Sequence, residues 1–492
     1  MKKDSLTDQE LVEMILQRRE WHTFDCKRAS IKPKDILKTI VAFANTDGGL
    51  IAFGLDDIKR ANGQERLLGI SENRENLSEI LKLIEKEIDP YLEEKDHFEL
   101  DITNSNGDED KILLLKIKKT NEVYSIKNGD TYIRKGDQNV KIGNIEITRL
   151  KYEKGTISYE DELTSFVDIE EFDLELLTQY KNDNLSESEN DIQFLKDNGL
   201  AIKDGEKNYI SKAGMLLFGR NPAVSLKSKC SIKISHYYGK AQDYSESPNF
   251  VTKPFTVEGP LYYQINEAVK YFNDVVKKSP PKLTGSTFKP TILIPEWAFQ
   301  EAVTNAVIHR NYVTQDDIHI RFFDDRIEIE SPGAYPGFIT PRNIRSERFA
   351  RNPIIQRTLN RFTNSPNLDI GEGVDRMYQL MQNENLYEPL YLPNSLRPNS
   401  VLLILFNLQK ISYWDTINNY LEDHMQITNS EARSITGIQD TSKMSRLLKS
   451  FVDQKLLFKV PNEFKGKTFY RKFGVDEDIP FAKNNANGNS NT

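Results

Sequence analysis

In the third quarter of the chain, the segment Phe299-Gln300-Glu301-Ala302-Val303-Thr304-Asn305-Ala306-Val307-Ile308-His309-Arg310-Asn311-Tyr312 puts Glu301, Asn305, Ile308 and His309 on one helical face, because side chains three and four apart are neighbours on a helix. A carboxylate and an amide so related suit a metal–phosphate site. Glu301 can polarise an attacking water, and the amide oxygen of Asn305 can bind Mg²⁺, a hard cation that prefers oxygen ligands. An amphipathic helix with a few polar surface residues would look the same in isolation. Downstream, however, come Ser331-Pro332-Gly333 and Gly371-Glu372-Gly373, and glycines let the backbone approach a phosphate and cradle it with N–H groups.

A second set lies near the start of the chain. Glu20, Asp25, Asp56 and Asp57 flank a helix–turn–strand pattern, with Lys27 and Arg28 beside the first pair. Convergent carboxylates can bind a divalent metal and activate water for phosphodiester cleavage while the basic pair holds the phosphate. Solvated acidic residues at a helix start and a turn are the ordinary alternative. A third set is basic: Lys443, Arg446, Lys449, Lys455, Lys459, Lys465, Lys467, Arg471 and Lys472 stand near the C-terminus against Asp453 and Glu463. Such a set can neutralise DNA phosphates from a helix and a wing, although winged helices also serve protein contacts.

The elements that must position these groups are readable from periodicity. Apolar Leu11, Met14 and Ile15 mark a first helix. Pro33 is a good first-turn residue, and Ile36, Leu37, Ile40 and Val41 follow at helical spacing, ending at the turn Asn45-Thr46-Asp47-Gly48-Gly49. Strand-like runs at residues 50–53, 111–118 and 130–134 complete an α/β or α+β domain closing near residue 152. The acidic stretch at residues 158–162 reads as a linker. Residues 172–220 read as helices, a short hairpin and a helix, like a small winged-helix element. Strands are expected at residues 318–322 and 327–329, around the turn Asp324-Asp325-Arg326. Residues 410–472 repeat a helix-helix-helix-wing pattern, and the Asn-rich tail from residue 483 is too polar to fold.

The chain of 492 residues exceeds the size of a single core. Residues 1–20 lack the apolar stretch of a signal peptide, and no run of eighteen apolar residues exists to span a bilayer, so a cytoplasmic protein without membrane contact is expected. Two cysteines, Cys26 and Cys230, build neither a disulfide framework nor a zinc site. The formal charge of −8 excludes a global attraction for DNA or RNA, leaving local basic patches. No Gly-x-x-x-x-Gly-Lys-[Ser/Thr] loop occurs, which excludes a P-loop motor.

Taken in order, the segments from residue 210 to 408 resemble the GHKL ATPase fold, in the divergent C-terminal type described as RecG-related. The 299–312 helix is similar to that family's N-box. Ser331-Pro332-Gly333 and Gly371-Glu372-Gly373 look like its two glycine boxes, with Arg351-Asn352-Pro353 between them. The resemblance implies that Glu301 is the general base, Asn305 the Mg²⁺ ligand and Gly371 to Gly373 the start of a lid over the ATP phosphates. The family's adenine-reading Asp is missing, and Glu330 and Ser331 are the candidates in its place, with Gly333 and His309 beside the nucleotide.

Glu20-x-x-x-Phe24-Asp25-x-Lys27, the string Ala42-Phe43-Ala44-Asn45-Thr46-Asp47-Gly48-Gly49, Phe53-Gly54-Leu55-Asp56-Asp57 and Tyr132-Ile133-Arg134-Lys135-Gly136 resemble the Schlafen AlbA-2 domain over residues 10–152. That resemblance implies nucleic-acid binding, with Glu20, Asp25 and one of Asp56 or Asp57 as metal-holding cleavage residues and with Lys27, Arg28 and Arg134 on the nucleic acid. Asp25 stands where Glu is more usual.

The expected fold class is therefore α+β and multidomain. It comprises an AlbA-2-like domain (residues 1–152), a linker with a winged-helix-like element (153–230), a GHKL (Bergerat) α/β sandwich (231–408), a winged helix (409–475) and a disordered tail (476–492). The expected function is a Schlafen-like, ATP-binding homo-oligomer acting on DNA or RNA, its GHKL-type domain gating the N-terminal module, in antiphage defence by family analogy. A ligand-responsive transcriptional regulator, binding DNA through winged helices without catalysis, is the alternative.

Overall fold

The computed structural model describes residues 8–16, 18–127, 129–164, 169–186, 188, 190–204, 207–243, 248–278, 282–284, 287–289, 292–366, 371–424, 426–460 and 468–473. The chain divides into two compact units, residues 1–147 with 411–492, and residues 148–410. Mixed sheets and helices in each make it an α+β multidomain protein. Among the described residues no helix is long and apolar enough to cross a membrane.

In the first unit, Pro33 opens the helix Pro33–Asn45, whose lower half is wholly buried. It packs on a four-stranded sheet ordered Phe24–Lys27, Gly49–Phe53, Glu109–Ile117, Lys95–Thr103, with the first pair parallel and the others antiparallel. The two-residue period of a strand divides each strand between two cores. Ile51, Phe53, Leu113 and Leu115 join helices Pro33–Asn45 and Arg74–Glu87. Leu50, Ala52, Ile112 and Leu114 join Phe24, Cys26 and the helix Asp8–Leu16.

The turn that follows Pro33–Asn45 is stitched down. Asn45 Nδ2 donates to the carbonyls of Tyr124 (2.7 Å) and Tyr132 (2.9 Å), its Oδ1 accepts from Tyr124 N (2.7 Å), and Thr46 Oγ1 accepts from Arg134 N (2.9 Å). Gly48 sits at φ +77°, and a Cβ there would stand 2.6 Å from the Ile117 carbonyl oxygen. Only glycine adopts that approach without strain.

The later part of this unit has helices Trp414–Asp423, Asn429–Thr436 and Thr441–Asp453 with a small sheet ordered Ile427–Thr428, Phe469–Lys472, Leu457–Lys459. The three helices precede two antiparallel strands, Leu457–Lys459 and Phe469–Lys472. Met444, Leu448 and Phe451 bury one face of the third helix. Lys465 and Lys467, and the tail from residue 476, lie outside the described residues.

The second unit is built on a six-stranded sheet ordered Phe250–Val257, Ile232–Tyr237, Ile318–Phe322, Arg326–Pro332, Ser400–Phe406, Leu390–Tyr391. Its pairs are antiparallel except for Ile232–Tyr237 with Ile318–Phe322. Ile320, Ile327, Ile329 and Leu403 share one core with Phe299, Val303 and Met377 of the helices Glu296–Ile308 and Gly373–Asn383. The same core takes in Leu176, Leu195, Ile210 and Phe218 from the helices and hairpin upstream.

The acidic stretch at residues 158–162 is tied into this unit rather than left as a loose connection. Glu160 is fully buried, and its carboxylate accepts from the backbone N–H of Ile354 (2.8 Å) and Ile355 (2.9 Å). Those are first-turn donors of the helix Pro353–Asn360, which no intrahelical acceptor reaches.

Candidate nucleotide and nucleic-acid sites

The helix Glu296–Ile308 lies against the sheet with its polar face toward a cavity of about 430 Å³, a size typical of small-molecule sites. Glu301, Asn305 and His309 line it, as do Ser331, Gly333, Gly371 and Gly373. Residues distant in sequence thus converge on one space.

Helical spacing brings Asn305 Nδ2 to 2.9 Å from Glu301 Oε1, which turns the amide oxygen away from the carboxylate. Glu301 is buried, and that burial holds its carboxyl above the usual carboxylate range, although the Asn305 hydrogen bond and the Arg376 charge oppose the shift. Gly373 opens the helix Gly373–Asn383 against this carboxylate, and a Cβ there would stand 1.8 Å from Glu301 Oε1. Gly371, at φ +70°, abuts the Arg348 guanidinium, which a Cβ would meet at 2.2 Å. Arg348 and Arg376 both line the cavity, Arg376 lying over the Trp297 ring at 4.2 Å. The sequence reading missed these two cations and Trp297; Trp297 lies one helical turn before Glu301 and could have been found by the same spacing, whereas Arg348 in a loop and Arg376 on a separate helix carry no such signal.

The Arg351-Asn352-Pro353 string fastens the end of the Glu296–Ile308 helix. Asn352 Nδ2 donates to the carbonyls of Ile308 (2.7 Å) and Arg310 (2.9 Å), and Arg351 donates to those of His309 (2.8 Å) and Ala334. Pro353 then begins its own helix at the first position. His309 sits just past the helix end as its C-cap. Burial, aided by the Arg351 charge, lowers its pKa to about 4, so the ring is neutral near pH 7.

Glu330 and Ser331 part company because the strand Arg326–Pro332 alternates. Ser331 is buried, faces the cavity beside Ile329 and donates its hydroxyl to the Ala306 carbonyl at 2.7 Å. Glu330 does not line the cavity. It pairs with Arg321 at 2.8 Å and accepts from Ser400 Oγ at 2.7 Å, so its expected place beside a nucleotide is corrected.

In the first unit, alternation along Phe24–Lys27 buries Phe24 and Cys26 under the helix Asp8–Leu16. The neighbouring side chains of Asp25 and Lys27 meet Glu20. Lys27 Nζ contacts Asp25 Oδ1 and lies 3.1 Å from Glu20 Oε1, and Arg134 lies 3.5 Å from Asp25. Burial and a hydrogen bond with Glu20 push the Asp25 carboxyl up to about 7. Burial would raise Glu20 too, but its hydrogen bond with Asp25 and the Lys27 charge bring it down to about 2.

Asp56 is held elsewhere, by Arg28 at 2.5 Å and Arg60 at 3.8 Å, and Asp57 Oδ1 accepts from the Lys59 backbone. The four expected carboxylates therefore do not converge. Among the described residues no three His, Cys, Asp or Glu side chains stand together as a metal-holding group, and the Lys27 ammonium takes the position between Glu20 and Asp25 that a cation would need. Arg134, expected on nucleic acid, is buried, donates to the carbonyls of Trp21 and Phe24 and covers the Phe43 ring. Arg28 remains half-exposed, and Lys443 and Arg446 are exposed with Lys449 on the helix Thr441–Asp453.

Residues 20–143 match the family described as Schlafen, AlbA_2, and residues 315–403 match the family described as ATP-dependent DNA helicase recG C-terminal (HATPase_c_4). No curated protein matches the chain. A solved structure, the DIP2311 protein from Corynebacterium diphtheriae, is 17% identical over 94% of this chain and 96% of its own, with a TM-score of 0.40, too slight a likeness to carry an argument. The chain thus joins a Schlafen AlbA_2 domain to a HATPase-type domain of the recG C-terminal kind in one polypeptide.

Proposed function

We propose that the second unit binds ATP with Mg²⁺ in its cavity, and that the nucleotide state governs how the Schlafen AlbA_2 domain handles DNA or RNA. The observation that carries this is the meeting of Glu301, Asn305 and Gly373 with Arg348 and Arg376 around one cavity. Such a set suits a triphosphate: arginines and backbone N–H groups for its charge, an amide oxygen for the metal, and a carboxylate for water. Bound Mg²⁺·ATP would supply the electrophilic phosphorus. Glu301, whose burial raises its proton affinity, is placed to take a proton from the attacking water. Homo-oligomerisation on nucleotide binding, and service in antiphage defence, are parts of this reading that rest on family analogy.

The test is Mg²⁺-dependent ATP turnover by the full chain beside Glu301→Ala, with DNA and RNA present and their integrity followed in the same samples. Turnover in the wild type and a loss of about 10²-fold or more in the variant is the expected outcome. Equal turnover by both proteins would remove Glu301 from the base role.

A second reading is favoured by the Lys27 ammonium between Glu20 and Asp25, together with the exposed Lys443, Arg446 and Lys449. On that reading the protein is a nucleotide-responsive regulator that binds DNA and leaves it intact. Sequence-specific duplex binding that ATP releases, with no cleavage, is its signature.

A further inference from the structure

The cavity has two chemically different ends. Glu301, Gly373 and Arg376 mark one. The other lies about 12 Å along the helix, eight residues at 1.5 Å each, where His309, Ser331 and Gly333 meet near Ile329 and Val401. That end is drawn together by named contacts. Ser331 bonds back to the Ala306 carbonyl, and Arg351 bridges the carbonyls of His309 and Ala334. With Glu330 turned to the far side of the sheet, bonded to Arg321 and Ser400, this strand offers the base no carboxylate.

What the second end offers instead is neutral. His309 Nδ1 is buried at the cavity wall and has no hydrogen-bond partner. A buried polar atom left unpaired is costly and calls for an explanation, and a ligand that pairs with it is the simplest one. With its proton affinity depressed by burial, the ring is a neutral imidazole, in which either nitrogen can donate while the other accepts. Ser331 adds an acceptor only, since its one hydroxyl proton is given to the Ala306 carbonyl while its lone pairs remain.

We propose that His309 reads the base of the bound nucleotide, and that the cavity accepts adenine and guanine nucleotides alike. This rests on the nucleotide reading of the cavity. Adenine presents an amino donor beside a ring acceptor, and guanine presents a carbonyl acceptor beside a ring donor. A carboxylate can only accept, whereas a neutral imidazole can accept from the adenine 6-amino group or donate to the guanine 6-oxo group by exchanging tautomers. The apolar side chains of Ile329, Val401 and Leu403 in the floor favour a flat base without distinguishing one purine from another.

The experiment measures binding of Mg²⁺·ATP, Mg²⁺·GTP and inorganic triphosphate to the full chain and to His309→Phe and His309→Gln. The expected result is ATP and GTP affinities within about threefold of each other in the wild type. His309→Phe should weaken both nucleotides by about tenfold and leave inorganic triphosphate unchanged, which shows that the variant is folded. His309→Gln, which keeps a neutral donor and acceptor, should restore most of the loss. A preference for ATP over GTP beyond about thirtyfold overturns the inference while the nucleotide reading stands. Unchanged nucleotide affinity in His309→Phe overturns the role of His309, and loss of inorganic triphosphate together with the nucleotides reduces that role to folding. Failure of all three ligands to bind the wild type overturns both the inference and the reading beneath it.

Discussion

Glu301 is held by three independent features: its own burial, the Asn305 amide one helical turn on, and the absence of a side chain at Gly373. The last gives a prediction that touches no polar group. In Gly373→Ala the new methyl would overlap Glu301 Oε1, and the carboxylate clears it by swinging into the cavity and giving up its bond to Asn305. ATP turnover should fall at least tenfold, about 1.4 kcal/mol in the barrier, while the melting temperature stays near that of the wild type. Turnover at the wild-type rate would show that the carboxylate can relocate freely and that its position is not what the cavity depends on. At this scale the sequence showed the Glu301–Asn305 pair because helical spacing is a local rule. Arg348 and Arg376 were invisible, because their place depends on how a loop and a later helix return to the same cavity. The choice between Glu330 and Ser331 turns on the two-residue period of a strand that runs to Pro332, three residues past where periodicity alone ended it.

Among the elements, those with their own start or stop chemistry were legible: Pro33–Asn45 begins on its proline, and Ile318–Phe322 matches its expected bounds. The strand Lys95–Thr103 was not, because it lies at a sheet edge with only Leu100 and Ile102 buried, and its charged residues blur the alternation. The acidic stretch at 158–162 misleads for a related reason: a carboxylate that caps a distant helix reads, in sequence, like any solvated one. Glu160 yields a prediction with a definite sign. Burial raises its carboxyl from an ordinary value of 4.5 to about 7, so the folded state holds the proton more tightly than the unfolded chain. Its contribution to stability is then full below about pH 4.5 and is lost as pH rises through 7, by an amount on the order of 3 kcal/mol. Urea midpoints of wild type and Glu160→Gln, compared at pH 5 and pH 8, should show the wild type losing ground to the variant as pH rises. A difference between them that stays constant with pH would mean that Glu160 ionises normally, with its two backbone donors outweighing burial.

For the molecule as a whole, a formal charge of −8 sets the terms of any contact with nucleic acid. Net repulsion means that affinity must come from a few cations presented together, and it must be steeply dependent on salt. Of the N-terminal cations expected on nucleic acid, Arg134 is buried and Lys27 lies between two carboxylates, which leaves Arg28 half-exposed. The helix Thr441–Asp453 differs, since burying Met444, Leu448 and Phe451 on one face leaves Lys443, Arg446 and Lys449 exposed. Each phosphate contact adds about 0.9 to the slope of log affinity against log salt on duplex DNA. Lys443→Ala with Arg446→Ala should therefore lower that slope by about 2 and weaken duplex binding for all sequences alike, with ATP turnover unaltered. The paired variant Lys27→Ala should leave the slope within about 0.5 of the wild type, because its ammonium is engaged by Glu20 and Asp25. If the slope instead falls with Lys27→Ala and not with the helix variant, the N-terminal domain is the surface that meets the phosphates, and the ion cluster around Asp25 must open to do so.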